Sequence, residues 1–308
     1  MKKNIVRAIC AIISMLMLTV LLGSCTISIG DSDYTKKIID TSSSDVSGAS
    51  DSTTAAEQGE KDISISEHVL VDKDGIKITA KSLGTDDFWG QGIKVLIEND
   101  SNIDISVSCD SIVVNDYMVN ELFSATVAAG KKSNEVIYLS DSDLKEAGIK
   151  TVEQIEVRFL VINSSTYDRV FLADNAIIKT TAFSGGQFAK NDEGKELVNK
   201  DGIRIVGKYV KNDEIWGKEI ILFVENNTDK DITLYCDDLS VNGFMMTALL
   251  AKTVNAGKMS IVGISLFSDD LQKNDIKEVK DIELKFRVGD AVTYSNIFET
   301  GVISFSVS

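Results

Sequence analysis

The chain contains itself twice. Asp72-Lys73-Asp74-Gly75-Ile76-Lys77-Ile78 returns as Asn199-Lys200-Asp201-Gly202-Ile203-Arg204-Ile205, an offset of 127 residues (Gly75 to Gly202). The same offset carries Trp89-Gly90 onto Trp216-Gly217, Glu98-Asn99 onto Glu225-Asn226 and Asp104-Ile105 onto Asp231-Ile232. It also carries Cys109-Asp110 onto Cys236-Asp237, Val114-Asn115 onto Val241-Asn242, Ala129-Gly130-Lys131 onto Ala256-Gly257-Lys258, and Tyr167 onto Tyr294. No gap is needed. A fixed period of this kind means two copies of one folding unit, so any fold proposed for one copy must also suit the other.

Each copy reads as β. Ile155, Val157, Phe159 and Val161 alternate with Glu156, Arg158 and Leu160, and Ile282, Leu284, Phe286 and Val288 do the same. A period of two places one set on one face of a strand. Ile93, Val95 and Ile97 repeat the pattern, while Leu96 and Phe223 on the other parity predict a central strand covered on both sides. Asp74-Gly75, Asp201-Gly202 and Asn242-Gly243 are tight-turn signals, because glycine reaches positive φ without steric cost; Asn115-Asp116 tolerates that geometry less well. One short helix is expected per copy, around Ser142 to Ala147 and Asp269 to Lys273, with Ser or Asp capping the start. Eight or nine short strands per copy with closely spaced turns indicate a sandwich of immunoglobulin type.

The first 25 residues carry a different signal. Lys2, Lys3 and Arg7 precede an apolar run from Ala8 to Leu22, which is shorter than the ~20 residues that span a bilayer comfortably. Leu22-Gly23-Ser24-Cys25 resembles the lipobox of bacterial lipoproteins, which implies cleavage after Ser24 and diacylation of Cys25. An ordinary signal peptide, with Cys25 incidental, is the alternative. Residues 26 to about 62 are rich in Ser, Thr, Asp, Gly and Ala and poor in aromatic and branched apolar side chains. Such a stretch buries too little to offset its ordering entropy and reads as a disordered tether, with a root-mean-square span of roughly 30–37 Å.

The expectation is therefore an all-β chain: two tandem immunoglobulin-like β-sandwich domains after a signal peptide and a disordered tether. The boundaries are residues 1–24 for the signal, 25–62 for the tether, 63–180 for the first repeat, 181–193 for a connector and 194–308 for the second repeat. Phe88-Trp89-Gly90, the run from Ile93 to Asn99, Val114-Asn115-Asp116-Tyr117-Met118 and Ala129-Gly130-Lys131, with their second-copy counterparts, resemble a class of secreted or lipid-anchored bacterial proteins with immunoglobulin-like domains. That resemblance implies the fold and an extracytoplasmic placement and brings no catalytic residues.

Charge limits the partners. The formal net charge is −15; without Lys2, Lys3 and Arg7, 29 basic residues face 47 acidic ones, a balance of −18. Nucleic acid and anionic lipid surfaces both need basic patches and are not expected partners. Beyond the membrane reached through the N-terminal lipid, the candidates are cell-wall glycan or a surface protein. Four cysteines are present, but Cys10 lies in the signal and Cys25 in the lipobox. Cys109 and Cys236 occupy equivalent positions in the two copies, which argues against a bridge between them, and both continue an apolar face as small hydrophobes.

No catalytic constellation stands out. His68 is the only histidine, too few for a zinc site of the usual spacing, and there is no Cys-x-x-Cys pair, Gly-x-Ser-x-Gly elbow or Walker-type loop. No metal and no cofactor are expected. Asp72-x-Asp74-Gly75 lacks the glutamate that closes a calcium loop. The binding candidates are Trp89 beside Asp86 and Asp87, and Trp216 beside Asp213 and Glu214. Each set suits an aromatic platform for a sugar ring or a cation, or else a Trp folded over the open end of its own sandwich. The hairpins Asn115-Asp116-Tyr117-Met118 and Asn242-Gly243-Phe244-Met245-Met246 offer a second choice. They are a protein-binding patch if exposed and core if buried.

Overall fold

The computed structural model describes residues 63–306 except 87–89, 122, 186 and 214–216, with backbone alone at Asp86 and Asp213. The first copy runs β1 (His68–Lys73), β2 (Ile76–Asp86), β3 (Gly90–Asn99), β4 (Ile105–Val114), β5 (Tyr117–Val119), β6 (Ser124–Val127), β7 (Lys131–Tyr138), α1 (Asp141–Ala147), β8 (Gln154–Asn163), β9 (Arg169–Leu172) and β10 (Ala176–Lys179). The second repeats this order with β11 (Lys195–Lys200), β12 (Ile203–Asp213), β13 (Gly217–Asn226), β14 (Ile232–Val241), β15 (Phe244–Met245), β16 (Ala251–Val254), β17 (Met259–Phe267), α2 (Ser268–Lys273), β18 (Asp281–Asp290), β19 (Asn296–Glu299) and β20 (Ile303–Ser306).

In each copy the first three strands form an antiparallel meander that the seventh extends, giving β1-β2-β3-β7 in copy one. The fourth and eighth strands pair in the facing sheet, joined there by the short β5, β6, β9 and β10. The alternating residues read from sequence fill the space between the sheets. Ile76, Ile78, Ile93, Ile97, Ile105, Val107, Ile155, Val157 and Phe159 form one core, and their counterparts through Phe286 and Val288 form the second. Each copy is thus an immunoglobulin-like β-sandwich with its own core.

Four repeated polar residues fix the connections between sheets. Asn99 is fully buried; its amide donates to the carbonyls of Ile103 (2.8 Å) and Val127 (2.9 Å), and its oxygen accepts from the Ser101 N–H and hydroxyl. Asn226 does the same toward Lys230, Val254 and Thr228. Asp104 accepts from the Ala129 N–H and Asp231 from the Ala256 N–H, both at 2.9 Å, tying the crossover to the Ala-Gly-Lys turn. The recurring Glu-Asn and Asp-Ile pairs are therefore structural hubs.

Two local expectations change. Asn115 and Asp116 adopt φ of 48° and 64°, the same left-handed geometry as Asn242-Gly243. The Asn115 side chain makes this tolerable, donating to the Thr151 carbonyl and accepting from the Glu153 and Gln154 N–H groups. The helices differ at their starts. Ser140 caps α1 through the Asp143 N–H, whereas Phe267 stands at that position before α2 and provides no side-chain cap.

The two sandwiches are not separate beads. β5 of copy one pairs in parallel with the start of β17, Tyr117 opposite Met259 and Met118 opposite Ser260. One sheet therefore runs through both copies in the order β10-β8-β4-β5-β17-β13-β12-β11. A third apolar cluster of Tyr117, Ala147, Val206, Phe223 and Met259 closes the joint. This contact buries the outer face of β13, so Phe223 is covered as expected of a central strand, whereas the counterpart Leu96 is only partly covered. Asn99→Ala removes the amide donor from the buried Val127 carbonyl and the acceptor from the Ser101 N–H; the Ile103 carbonyl keeps the Ser101 hydroxyl. We expect a loss on the order of 2–3 kcal/mol in urea denaturation, and a loss at least as large for Asn99→Asp, which sets a buried carboxylate oxygen against the Ile103 and Val127 carbonyls.

Candidate functional site

Strands β2-β3 and β12-β13 end at equivalent residue pairs. Asp86 pairs with Gly90 at the end of β2-β3, and Asp213 with Gly217 at the end of β12-β13. Gly90 has φ of +77°, and a β-carbon there would lie 2.3 Å from the Asp141 carboxylate at the start of α1. The left-handed backbone is what favours glycine here, since the exposed Asp141 side chain can move aside. Trp89, Asp87, Trp216 and Glu214, and the side chains of Asp86 and Asp213, lie outside the described residues. Leu22, Gly23, Ser24 and Cys25 lie outside them as well.

The hairpin candidates separate cleanly. In copy one Tyr117 is only 1% exposed; its ring meets Phe223 edge-on at 6.3 Å, and its hydroxyl oxygen accepts from the Asn191 N–H at 2.6 Å. The Lys258 ammonium reaches across the joint to Asp116 (2.8 Å) and Glu156 (2.5 Å). Arg158 bridges Asp110 within copy one to Asp231 in copy two, at 2.6 and 3.1 Å. Asn191 also donates to the Glu146 carbonyl and accepts from Lys208, which pins the connector into the same joint.

In copy two the same hairpin is bare. Phe244 is 47% exposed, Met245 67% and nearby Leu249 58%. Here β15 ends its sheet, with only β14 as neighbour. Beside it lies a groove of about 380 Å³ lined by Asn242, Gly243, Asp281, Glu283, Ser304 and Lys195. Met246 turns inward into the copy-two core. The patch reading therefore holds for copy two and the core reading for copy one.

In the sequence the tyrosine turns stand out only as a repeat. Tyr167 and Tyr294, at φ of 62° and 59°, are 77% and 84% exposed. Positive φ is unusual for an aromatic residue, and the turns are held by the Tyr167 N–H donating to the Asn163 carbonyl and by the Tyr294 N–H donating to the Asp290 carbonyl. A turn signal would have flagged them had the residue been Asn or Gly; a tyrosine conceals it.

Other candidates resolve into structure. Cys109 and Cys236 are free thiols; burial raises both, Cys236 to about 12. Among the described residues no group of three His, Cys, Asp or Glu side chains is placed to hold a metal, and no helix is long and apolar enough to cross a membrane.

The strand order, repeated in both halves, defines the class: a tandem pair of immunoglobulin-like β-sandwiches sharing one sheet. No protein-family model matches the chain, and no curated protein does. Among solved structures it is similar to the Salmonella enterica SafA pilin in complex with the SafB chaperone, at 16% identity over 70% of this chain and 89% of that one, with a TM-score of 0.21. It is also similar to red sea bream transglutaminase, at 11% identity over 79% of this chain and 31% of that one, with a TM-score of 0.18. At these scores neither likeness bears on function.

One carboxylate is out of place. Glu121, between β5 and β6, has an oxygen with no partner, and burial raises its pKa from 4.5 to about 7 against the opposing pull of the Phe123 N–H. The folded state holds the proton more tightly than the unfolded chain, so this group's cost is absent below pH 4.5 and grows as pH rises to about 7. Glu121→Gln is expected to gain on the order of 1 kcal/mol at pH 8.5, after allowance for solvent screening, and nothing at pH 4. Parallel thermal melts at the two pH values measure the difference.

Proposed function

We propose that this protein is a lipid-anchored lipoprotein of the cell envelope, held through Cys25 at the extracytoplasmic face of the cell membrane, with a non-catalytic binding or scaffolding role. The tether of residues 25–62 would carry the double sandwich away from the bilayer. One observation carries the reading: an apolar strand edge, Phe244-Met245 with Leu249, left bare on a strongly acidic chain that buries the equivalent edge elsewhere. Exposed apolar edges of this kind are contact surfaces. The exposed Tyr167 and Tyr294, repeated at the period of the domain, add two aromatic faces of the kind that stack on sugar rings.

A narrower reading, an inhibitor or envelope-stress protein that engages one protein partner through a hairpin edge, draws on the joint itself. Copy one already uses its hairpin to hold a second sandwich. An enzyme acting on envelope glycan is the least supported reading.

Anchoring is tested by metabolic labelling with a fatty-acid analogue. Label on the intact chain that disappears in Cys25→Ser, with the variant released from the membrane fraction, is the expected result; unlabelled protein in the membrane fraction would overturn the anchor. Binding is tested by co-sedimentation with purified cell wall and capture from surface-protein extract. Trp89→Ala with Trp216→Ala, and Tyr167→Ala with Tyr294→Ala, separate the aromatic faces. Wall binding lost in either folded double variant identifies a glycan platform, whereas loss confined to Met245→Asp identifies a protein-binding edge.

A further inference from the structure

The joint between the two copies has two halves, and each half recurs unpaired 127 residues away. The donor half in copy one is the hairpin Tyr117-Met118, with Glu156 and Arg158 beside it. Its counterpart in copy two is Phe244-Met245 with Glu283 and Lys285: two apolar side chains at a sheet edge, then an acid and a base in the same order. The acceptor half in copy two is the start of β17 with Lys258 and Asp231. Its counterpart in copy one is the start of β7 with Lys131 and Asp104, and β7 is the edge strand of its sheet.

We propose that these halves meet between molecules, β15 of one chain adding in parallel to β7 of the next. Phe244 and Met245 then stand opposite Lys132 and Ser133, as Tyr117 and Met118 stand opposite Met259 and Ser260. Lys131 enters the 380 Å³ groove beside Gly243 and reaches Glu283, the place that Lys258 fills in copy one between Asp116 and Glu156. Lys285, which pairs with Asp238 at 2.7 Å within its own copy, reaches Asp104 as well, as Arg158 serves both Asp110 and Asp231. The Asp104 carboxylate already accepts from the Ala129 N–H through one oxygen, as Asp231 accepts from Ala256 while its second oxygen takes Arg158.

The charge register favours a second copy over an unrelated partner, because two of the four ion pairs across the joint, Lys258–Glu156 and Arg158–Asp231, recur with their signs intact as Lys131–Glu283 and Lys285–Asp104, whereas Gly243 removes the place of Asp116. The contact is heterologous: donor and acceptor lie on different copies, so it does not close on itself and builds open head-to-tail chains. It is weaker than the joint. Lys132 and Asn134 replace Met259 and Ile261 on the acceptor, and Gly84 and Lys273 stand where Lys211 and Glu146 form an ion pair. Reversible assembly follows. The proposal specifies the occupant of the edge on which the functional reading rests, and the test below keeps the two apart.

Sedimentation velocity over a concentration series, on the chain from Thr26 to Ser308 (which contains every described strand), gives the primary readout. The sedimentation coefficient is expected to climb with concentration without a plateau at dimer. Met245→Asp removes the donor and Lys131→Glu with Asn134→Glu the acceptor; all three positions are exposed, and unchanged melting temperatures confirm folding. Each variant alone is expected to be monomeric, and an equimolar mixture to stop at one-to-one dimers. A wild-type chain that stays monomeric throughout overturns self-association while leaving the edge open to another partner. Dimerisation of the acceptor variant alone overturns the head-to-tail arrangement in favour of symmetric β15 pairing.

Discussion

The arrangement of this molecule depends on one small contact, the parallel pairing of β5 with β17. Two residue pairs of parallel ladder contribute little by themselves. What gives the contact strength is everything brought to the same place: the Tyr117 ring against Phe223, the Lys258 ammonium between two carboxylates, and the connector pinned through Asn191. An edge-on aromatic pair adds about 0.5–1.5 kcal/mol beyond the area it covers. Lys258 is nearly enclosed, and its two acidic partners supply what water would otherwise have supplied. The result converts two sandwiches on a connector into one body with a common sheet.

That joint also breaks the equivalence of the copies. Phe223 and Leu96 occupy the same place in their strands, yet only Phe223 is covered from outside. Tyr117 and Phe244 begin the same short strand, yet one is sealed and the other half exposed. Nothing local distinguishes them. A tandem repeat with a single internal joint must leave one donor and one acceptor unused at its ends, unless the end copies change their surfaces. The acceptor end has changed, with Lys132 and Asn134 in place of Met259 and Ile261, which makes pairing there weaker than in the joint. The donor end has kept Phe244, Met245 and Leu249.

Many of the repeated residues that attract attention in the sequence prove to be internal fastenings. Asn99 and Asn226 donate to carbonyls on both sides of the crossover, including those of the buried Val127 and Val254. Asn115 and Asn242 do this for the tight turns, and Asp104 and Asp231 accept from backbone N–H groups of the Ala-Gly-Lys bends. A buried polar group without a partner costs about 1–3 kcal/mol, so a fold with several sheet crossovers needs the same side chains at the same places in every copy.

The sequence by itself determined the repeat and its period, the all-β character, the alternation that fills both cores, and the two short helices. These follow from local patterns, because strand periodicity and turn geometry are set by residues a few positions apart. It also marked both hairpins as either patch or core and could go no further. Only the tertiary structure decided which was which, since burial of Tyr117 depends on Met259, Phe223 and Asn191, residues brought together from distant parts of the chain. The exposed tyrosine turns are concealed in the sequence for a related reason. Their left-handed backbone is imposed by the hydrogen bonds around Asn163 and Asp290, while the residue at the turn carries no sign of it.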